Sequence, residues 1–304
     1  MGAAMTFDIL AMQVFNGFSL VSVLVLMAIG LTIVFGLMGV INMAHGELMA
    51  MGAYMTYVTA QLFQRYFPEL MGAYFLVGIL VAFAVTFAFG YLLERSFIRF
   101  MYNRPLDALL ATWGLSLVLQ QAFRHIFGPK EVSVPTVEWL QGAVMVTEGI
   151  ALPLNRIFII GLTLVISLAV FLFLYRSRWG RRIRAVTQNR AMAGAAGINT
   201  ARVDAVTFAF GCGLAGVAGS SFTMLASTGP VTGQQYLVDT FIVVVFGGVE
   251  SLLGTFLSAF AIGQMQTLLE FMTTGSMAKA MTLLVVIVLL FFRPNGLFAA
   301  KVRR

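Results

Sequence analysis

Residues 9–46 contain no Asp, Glu, Lys or Arg. A helix that crosses a bilayer needs roughly 20 apolar residues, so this one run is long enough for nearly two crossings. Charge-free runs recur at 48–64, 70–93, 108–123, 157–175, 205–238, 240–249, 251–269 and 280–292. They are continuously apolar, whereas the strands of a membrane barrel alternate over ~10 residues, so helices are the expected elements. Only 10% of the chain is charged and its mean hydropathy is +0.94, against about 25% charged in soluble domains. Such a chain cannot cover a water-facing surface. No polar block reaches the roughly 50 residues that a soluble domain needs. The expected fold is an all-α polytopic membrane protein, a single domain over 1–304. It is a bundle of about 8–9 transmembrane helices with broken or re-entrant segments.

The basic residues set an orientation. Of nineteen, seven fall in 175–204: Arg176, Arg178, Arg181, Arg182, Arg184, Arg190 and Arg202. The positive-inside rule makes this a cytoplasmic loop. Arg95, Arg99 and Arg104 mark 94–106 the same way, and Arg293, Lys301, Arg303 and Arg304 place the C-terminus in the cytoplasm. The segment 125–155, broken by Pro129, Pro135 and Pro153, is expected outside as an ordered cap. Counting onward from 175–204, an odd number of crossings must lie between 236 and 292, and three fit. The first, 236–247, spans only ~18 Å as a helix. It is therefore tilted, or part of a broken helix entered at Gly229-Pro230 and turning at Gly247-Gly248. Broken helices occur in membranes only where protein or a cavity shelters the freed backbone, which makes 229–254 a candidate functional region.

Several chemistries are excluded. There is no GxxxxGK[ST] phosphate loop, and His45-Gly46-Glu47 lacks the second His of a zinc helix. No nucleophile–base pair stands out, so no catalytic residue, metal or cofactor is expected on this chain. Cys212 lies in an apolar run and reads as a packing residue. Gly213, Gly216 and Gly219 with Ala215 form a small-residue stripe for close helix approach. The N-terminus has no basic n-region, so no removable signal peptide is expected.

Polar residues inside the apolar runs are the candidate site. Asn42, His45 and Glu47 fall within six residues. If 9–63 holds two crossings, their junction lies near 37–45, close to the inner boundary. Three roles are open: a helix start with Asn42 as N-cap and Glu47 in the first turn, an inner gate, or a solute contact. Asp239, a lone acid three residues after Tyr236, either caps a re-entrant helix near the outer mouth or faces a solute. In the basic loop, the pattern RRIRAVTQNRAMAGAAGINTARV reads as a short helix, a small-residue block, a turn permitted by Gly194 and Gly197, and a new membrane helix. The arginines alone also fit attraction to anionic membrane lipid.

Three separated motifs resemble a known family. GLTIVFGLMGVINMAHGELMAMGAY (30–54) resembles the signature of the branched-chain amino-acid type of ABC importer permease. TGPVTGQQYLVDTFIVVVFGGVESLLGT (228–255), TQNRAMAGAAGIN (187–199) and RPNGLFAAKVRR (293–304) resemble the urea-importer branch of that family. Glu250 departs from that branch, where Gly is usual. The resemblance implies a permease subunit in the bacterial inner membrane, importing urea or short amides, or alternatively branched-chain amino acids. A stand-alone channel or secondary transporter is the competing class. The implied partners are a second homologous permease subunit, two cytoplasmic ATPase subunits that use ATP and Mg, a periplasmic solute-binding protein and membrane lipid, with no nucleic acid. It also implies an ATPase-coupling surface at Arg181, Arg182, Arg184, Asn189, Arg190, Ala193, Gly197 and Ile198. Asn42, His45, Glu47, Gln234, Tyr236 and Asp239 then become the expected path or gate.

Overall fold

A computed structural model describes residues 2–102, 104–147, 150–249, 251–293 and 296–297, with side chains from residue 11 onward except at 146, 147 and 150. Glu250, Lys301, Arg303 and Arg304 lie outside the described residues. The long apolar runs are helices: α1 (Gly2–Leu31), α2 (His45–Tyr66), α3 (Tyr74–Ser96), α4 (Pro105–Phe127), α5 (Leu154–Arg176), α8 (Thr200–Phe222), α9 (Thr232–Gly247), α10 (Leu252–Met272) and α11 (Gly275–Phe292). Two short helices, α6 (Arg178–Gln188) and α7 (Arg190–Ala195), occupy the basic loop. Seven helices are long and apolar enough to cross a membrane. The other two are α2, which carries His45 and Glu47, and α9, whose 16 residues reach ~24 Å. Nine helices thus build the bundle among the described residues, within the expected range.

The helices run between two faces. One carries α6, α7 and the basic loop and is termed the basic face. The other carries an antiparallel hairpin of β1 (Ala143–Thr147) and β2 (Ile150–Pro153) and is termed the hairpin face. The segment expected as an ordered cap is tied down by Trp139 Nε1 donating to Gly72 O at 2.6 Å and by a bridge between Val132 and Thr228. Tyr74 also donates to Pro135 O. This hairpin is a small β addition to the all-α fold.

Helix α8 forms the centre, with nearly every residue from Val203 to Phe222 buried. Its small-residue stripe lets backbones approach: a Cβ on Gly219 would strike Met49 O, and one on Gly216 would strike Ala82 O and Thr86. Cys212 packs in the same seam against Gly90. α9 and α10 form an antiparallel helical hairpin, with Ser258 Oγ donating to Val243 O at 2.6 Å and Gly247 packed on Gly254. The turn between them uses Gly248 at φ +94°, a conformation that costs residues with a Cβ roughly 1–2 kcal/mol. α9 thus ends at Gly247 and the chain reverses at Gly248. Two other pieces of chain seat on it. Gly36, in a π-turn that ends α1 (Thr32–Leu37), touches Val249 O, and Leu297 N–H donates to Phe246 O at 2.9 Å.

Candidate functional site

The chain leaves α1 at the basic face, where Thr187 Oγ1 donates to Leu37 O at 3.1 Å. It then turns back into the bundle. Residues 38–44 are largely irregular, and seven extended residues reach up to about 23 Å, more than the roughly 15 Å half-thickness of hydrocarbon. Irregular backbone at that depth needs substitute partners. Thr112 Oγ1 supplies them, accepting from Met43 N–H at 3.0 Å and lying 3.4 Å from Ile41 O.

α2 therefore begins deep in the bundle. His45 Nε2 lies 3.2 Å from Met27 O, and a Cβ on Gly30 would meet both His45 and Gly211 O, at the midpoint of α8. Glu47 reaches Ser116, at the midpoint of α4. This corrects the expectation that Asn42, His45 and Glu47 sit near the inner boundary. The N-cap expectation is also corrected. Ala44 is the N-cap, and Asn42 Oδ1 instead accepts from Ala44 N–H at 3.0 Å, closing an Asx turn. Asn42 supports the entry into α2 rather than capping it.

Glu47 does lie in the first turn of α2, but its carboxyl is committed across to α4. Ser116 Oγ donates to Glu47 Oε1 at 3.1 Å and Gln120 Nε2 donates to it at 2.8 Å. Gln120 Nε2 also donates to Gln234 Oε1 at 3.3 Å, which brings the first turn of α9 into the same group. Gly46 and Gly233 pack backbone against backbone beside it; a Cβ on either would overlap the other's carbonyl. Glu47 is 1% exposed and, among the described residues, has no ion-pair partner. Glu47 Oε2, His45 Nδ1 and Asn42 Nδ2 are buried without hydrogen bonds. A carboxyl at the bilayer centre costs a few kcal/mol on insertion scales, which makes this group the candidate site. The ladder Thr112, Ser116, Gln120 was not singled out from the sequence. Its spacing of four residues, which puts three polar side chains on one helical face, was the available signal.

Tyr236 and Asp239 lie elsewhere. Asp239 is well inside α9 and cannot cap its start; it pairs with Lys279 of α11 at 3.0 Å. It is neither a cap nor a lone acid. Tyr236 packs edge-on against Phe222, with centroids 5.0 Å apart. Gly229 and Pro230 precede α9, and Gly229 N–H donates to Thr232 Oγ1 at 2.8 Å.

The residues proposed for coupling divide into two sets. Arg181, Arg182 and Gly197 are exposed on the collar formed by α6 and α7. Ala193 is buried, and Arg184 is turned inward, bonded to Leu174 O with its guanidinium over the Tyr175 ring. Arg184 thus closes the end of α5 and Ala193 anchors α7, so neither presents a contact surface. Asn189 caps α7, accepting from Met192 N–H at 3.0 Å. The turn after α7 uses Gly197 at φ +81°, with Ile198 N–H bonded to Ala193 O and Gly197 N–H to Gly194 O, a Schellman closure. Gly194 is helical and is not needed for the turn.

Arg190 ties the collar to the bundle. Its Nη2 lies 2.6 Å from Asp204 Oδ2 at the base of α8, poorly aligned for a hydrogen bond but close as an ion pair. Its guanidinium lies 5.5 Å from the Tyr102 ring centroid, and Tyr102 donates to Glu94 at 2.7 Å. Burial, and then the Glu94 carboxylate that accepts this bond, push the Tyr102 phenol above its ordinary pKa, so it stays a neutral donor. These contacts link α7 to α8 and, through Tyr102 and Glu94, to α3.

Comparison with known proteins agrees with this architecture. The chain is 30% identical over 291 residues to a high-affinity branched-chain amino acid transport system permease protein, BraD, of Pseudomonas aeruginosa, covering 94% of each chain. It is 29% identical to the LivH permease proteins of Escherichia coli and Salmonella typhimurium, again over 94% of each chain. No solved structure matches it. Residues 13–292 match the family described as branched-chain amino acid transport system / permease component, and the chain belongs to that permease family.

Proposed function

We propose that this chain is a permease subunit of an ATP-driven importer for branched-chain amino acids. The observation that carries the importer reading is the collar, exposed on one side and tied through Arg190, Asp204 and Tyr102 to α8 and α3 on the other. An external motor needs such a handle, and a stand-alone channel does not. The solute is the one transported by the systems of the relatives that align over 94% of the chain, branched-chain amino acids. Two ATPase subunits, which use ATP and Mg, would dock on Arg181, Arg182, Met192 and Gly197. A periplasmic binding protein would deliver solute to the hairpin face, and a second permease subunit would complete the path. The basic face and the C-terminus are then cytoplasmic, in a bacterial inner membrane. The group around Glu47, Gln120 and Gln234 serves as the gate.

Urea or a short amide is the second reading. It is favoured by the 228–255 motif and by a gate built from amide and hydroxyl groups around Glu47 rather than from ions. The relatives' names support it less well than the amino-acid reading. Uptake of radiolabelled leucine and of urea, in vesicles holding the whole complex, separates the two. ATP-dependent leucine uptake is expected; urea uptake alone would reverse the choice of solute, and flux without the ATPases would sink the importer. Gly194→Trp tests docking, since Gly194 is exposed and a Cβ there meets nothing within 4 Å. This variant is expected to insert normally and lose ATP-dependent uptake.

A further inference from the structure

We propose that a cavity at the hairpin face is a binding site for a free α-amino acid with an apolar side chain, Arg156 holding its carboxylate and Glu270 its ammonium group. The inference rests on the amino-acid reading above and names a site for it. The cavity, of about 320 Å³, lies between α1, α5, α9 and α10 and the end of α8, at the lower end of the roughly 300–1,000 Å³ typical of ligand sites. Leu20, Val23, Phe222 and Leu225 form an apolar wall, with Tyr236 beside it. The two charges are the cavity's only ionisable lining apart from the Tyr236 phenol.

Neither charge is explained by its own helix. Arg156 sits in the first turn of α5 and Glu270 in the last turn of α10. Each is at the end of the helix where the backbone dipole opposes it. Nor do they neutralise each other. Among the described residues they form no ion pair, although Asp239 and Lys279 nearby close theirs at 3.0 Å. Arg156 spends one N–H on Asn16 Oδ1, which leaves most of its five-donor fork free. Glu270 Oε1 accepts from Gln266 at 3.0 Å, and Oε2 has no partner among the described residues. An unjoined cation and anion beside an apolar wall match the three parts of a zwitterion with a hydrocarbon side chain. Urea, being neutral and without a side chain, forms no ion pair with either charge and leaves the apolar wall uncovered. Tyr236, on its lining, lies one helical turn of α9 from Gly233, which packs on Gly46 beside Glu47.

The test uses Ala226→Cys, an exposed position on the cavity lining, in a Cys212→Ala background. Maleimide labelling is followed in the assembled complex in nanodiscs, without binding protein. Leucine at about ten times its dissociation constant should slow labelling roughly ten-fold. Leucinol, which lacks the carboxylate, and 4-methylvalerate, which lacks the ammonium, should not. Arg156→Gln and Glu270→Gln should each abolish protection; where either fails to assemble, Arg156→Lys and Glu270→Asp should weaken it. Unprotected labelling in a complex that still imports leucine would overturn the site and leave the proposed function standing. Protection by urea equal to that by leucine would overturn the site, as would protection that follows phosphatidylethanolamine content and ignores leucine, which marks a lipid site. A complex that imports urea and not leucine would overturn both proposals.

Discussion

Two buried carboxyl groups, Glu47 in the bundle centre and Asp204 at its base, are partnered in opposite ways. Asp204 takes a full cation, Arg190, whose side chain remains about half exposed (52%). Glu47 takes a hydroxyl and an amide. Depth accounts for the difference. At the basic face a guanidinium can pair while part of it stays in water. At mid-bundle a second ion would add its own desolvation cost of several kcal/mol. The two solutions also behave differently. The ion pair at Asp204 fastens the collar to α8. The neutral donors around Glu47 each contribute only about 1 kcal/mol net, so exchanging any one of them costs little, as the proposed gate requires. The collar suits transmission and the cluster suits gating.

Five substitutions probe that contrast. The largest effect is expected for Gly46→Val, which drives a side chain into the Gly233 backbone and should destabilise by about 3 kcal/mol. A drop in the thermal midpoint of the detergent-solubilised protein measures it, and an unchanged midpoint would show that the α2–α9 contact is not tight. Next comes Glu47→Ala, which strands the buried donors of Ser116 and Gln120 at a cost of roughly 2 kcal/mol. Glu47→Gln keeps an acceptor and should cost less than about 1 kcal/mol while altering uptake. Equal losses in the two variants would mean that charge, rather than the acceptor, matters there. Arg190→Ala should destabilise by about 1–2 kcal/mol, because Asp204 loses its cation in a site that solvent partly screens. That loss should shrink in high salt, whereas the Glu47 effects should not, and matching salt dependences would erase the contrast. The smallest is Gly197→Ala, about 1 kcal/mol for a Cβ at positive φ, read as loosening of the collar by hydrogen exchange with the bundle unaffected.

The bundle and its basic face were legible from residue order, whereas the β-hairpin was not. Hydropathy and charge act along the chain, and a run of apolar residues has few options in a bilayer. The same holds for the short helix and turn of the basic loop, where Asn189 and Gly197 act through bonds to near neighbours. The polar residues inside the apolar runs were legible only as types. His45 and Glu47 stood out as polar residues in an apolar run, yet their depth did not, because it depends on Thr112 of another helix holding residues 41–43. Asp239 was misjudged for a similar reason: its partner Lys279 is remote in sequence.

The sequence by itself determined that this chain spans a membrane many times, which loop is basic, and which few residues resist burial, because these are sums over local composition. Only the tertiary structure decided that α2 starts at mid-bundle, that Gln120 joins Glu47 to Gln234, and that Ala193 and Arg184 face inward. Partner choice for a buried polar group depends on which helices meet, and at what height.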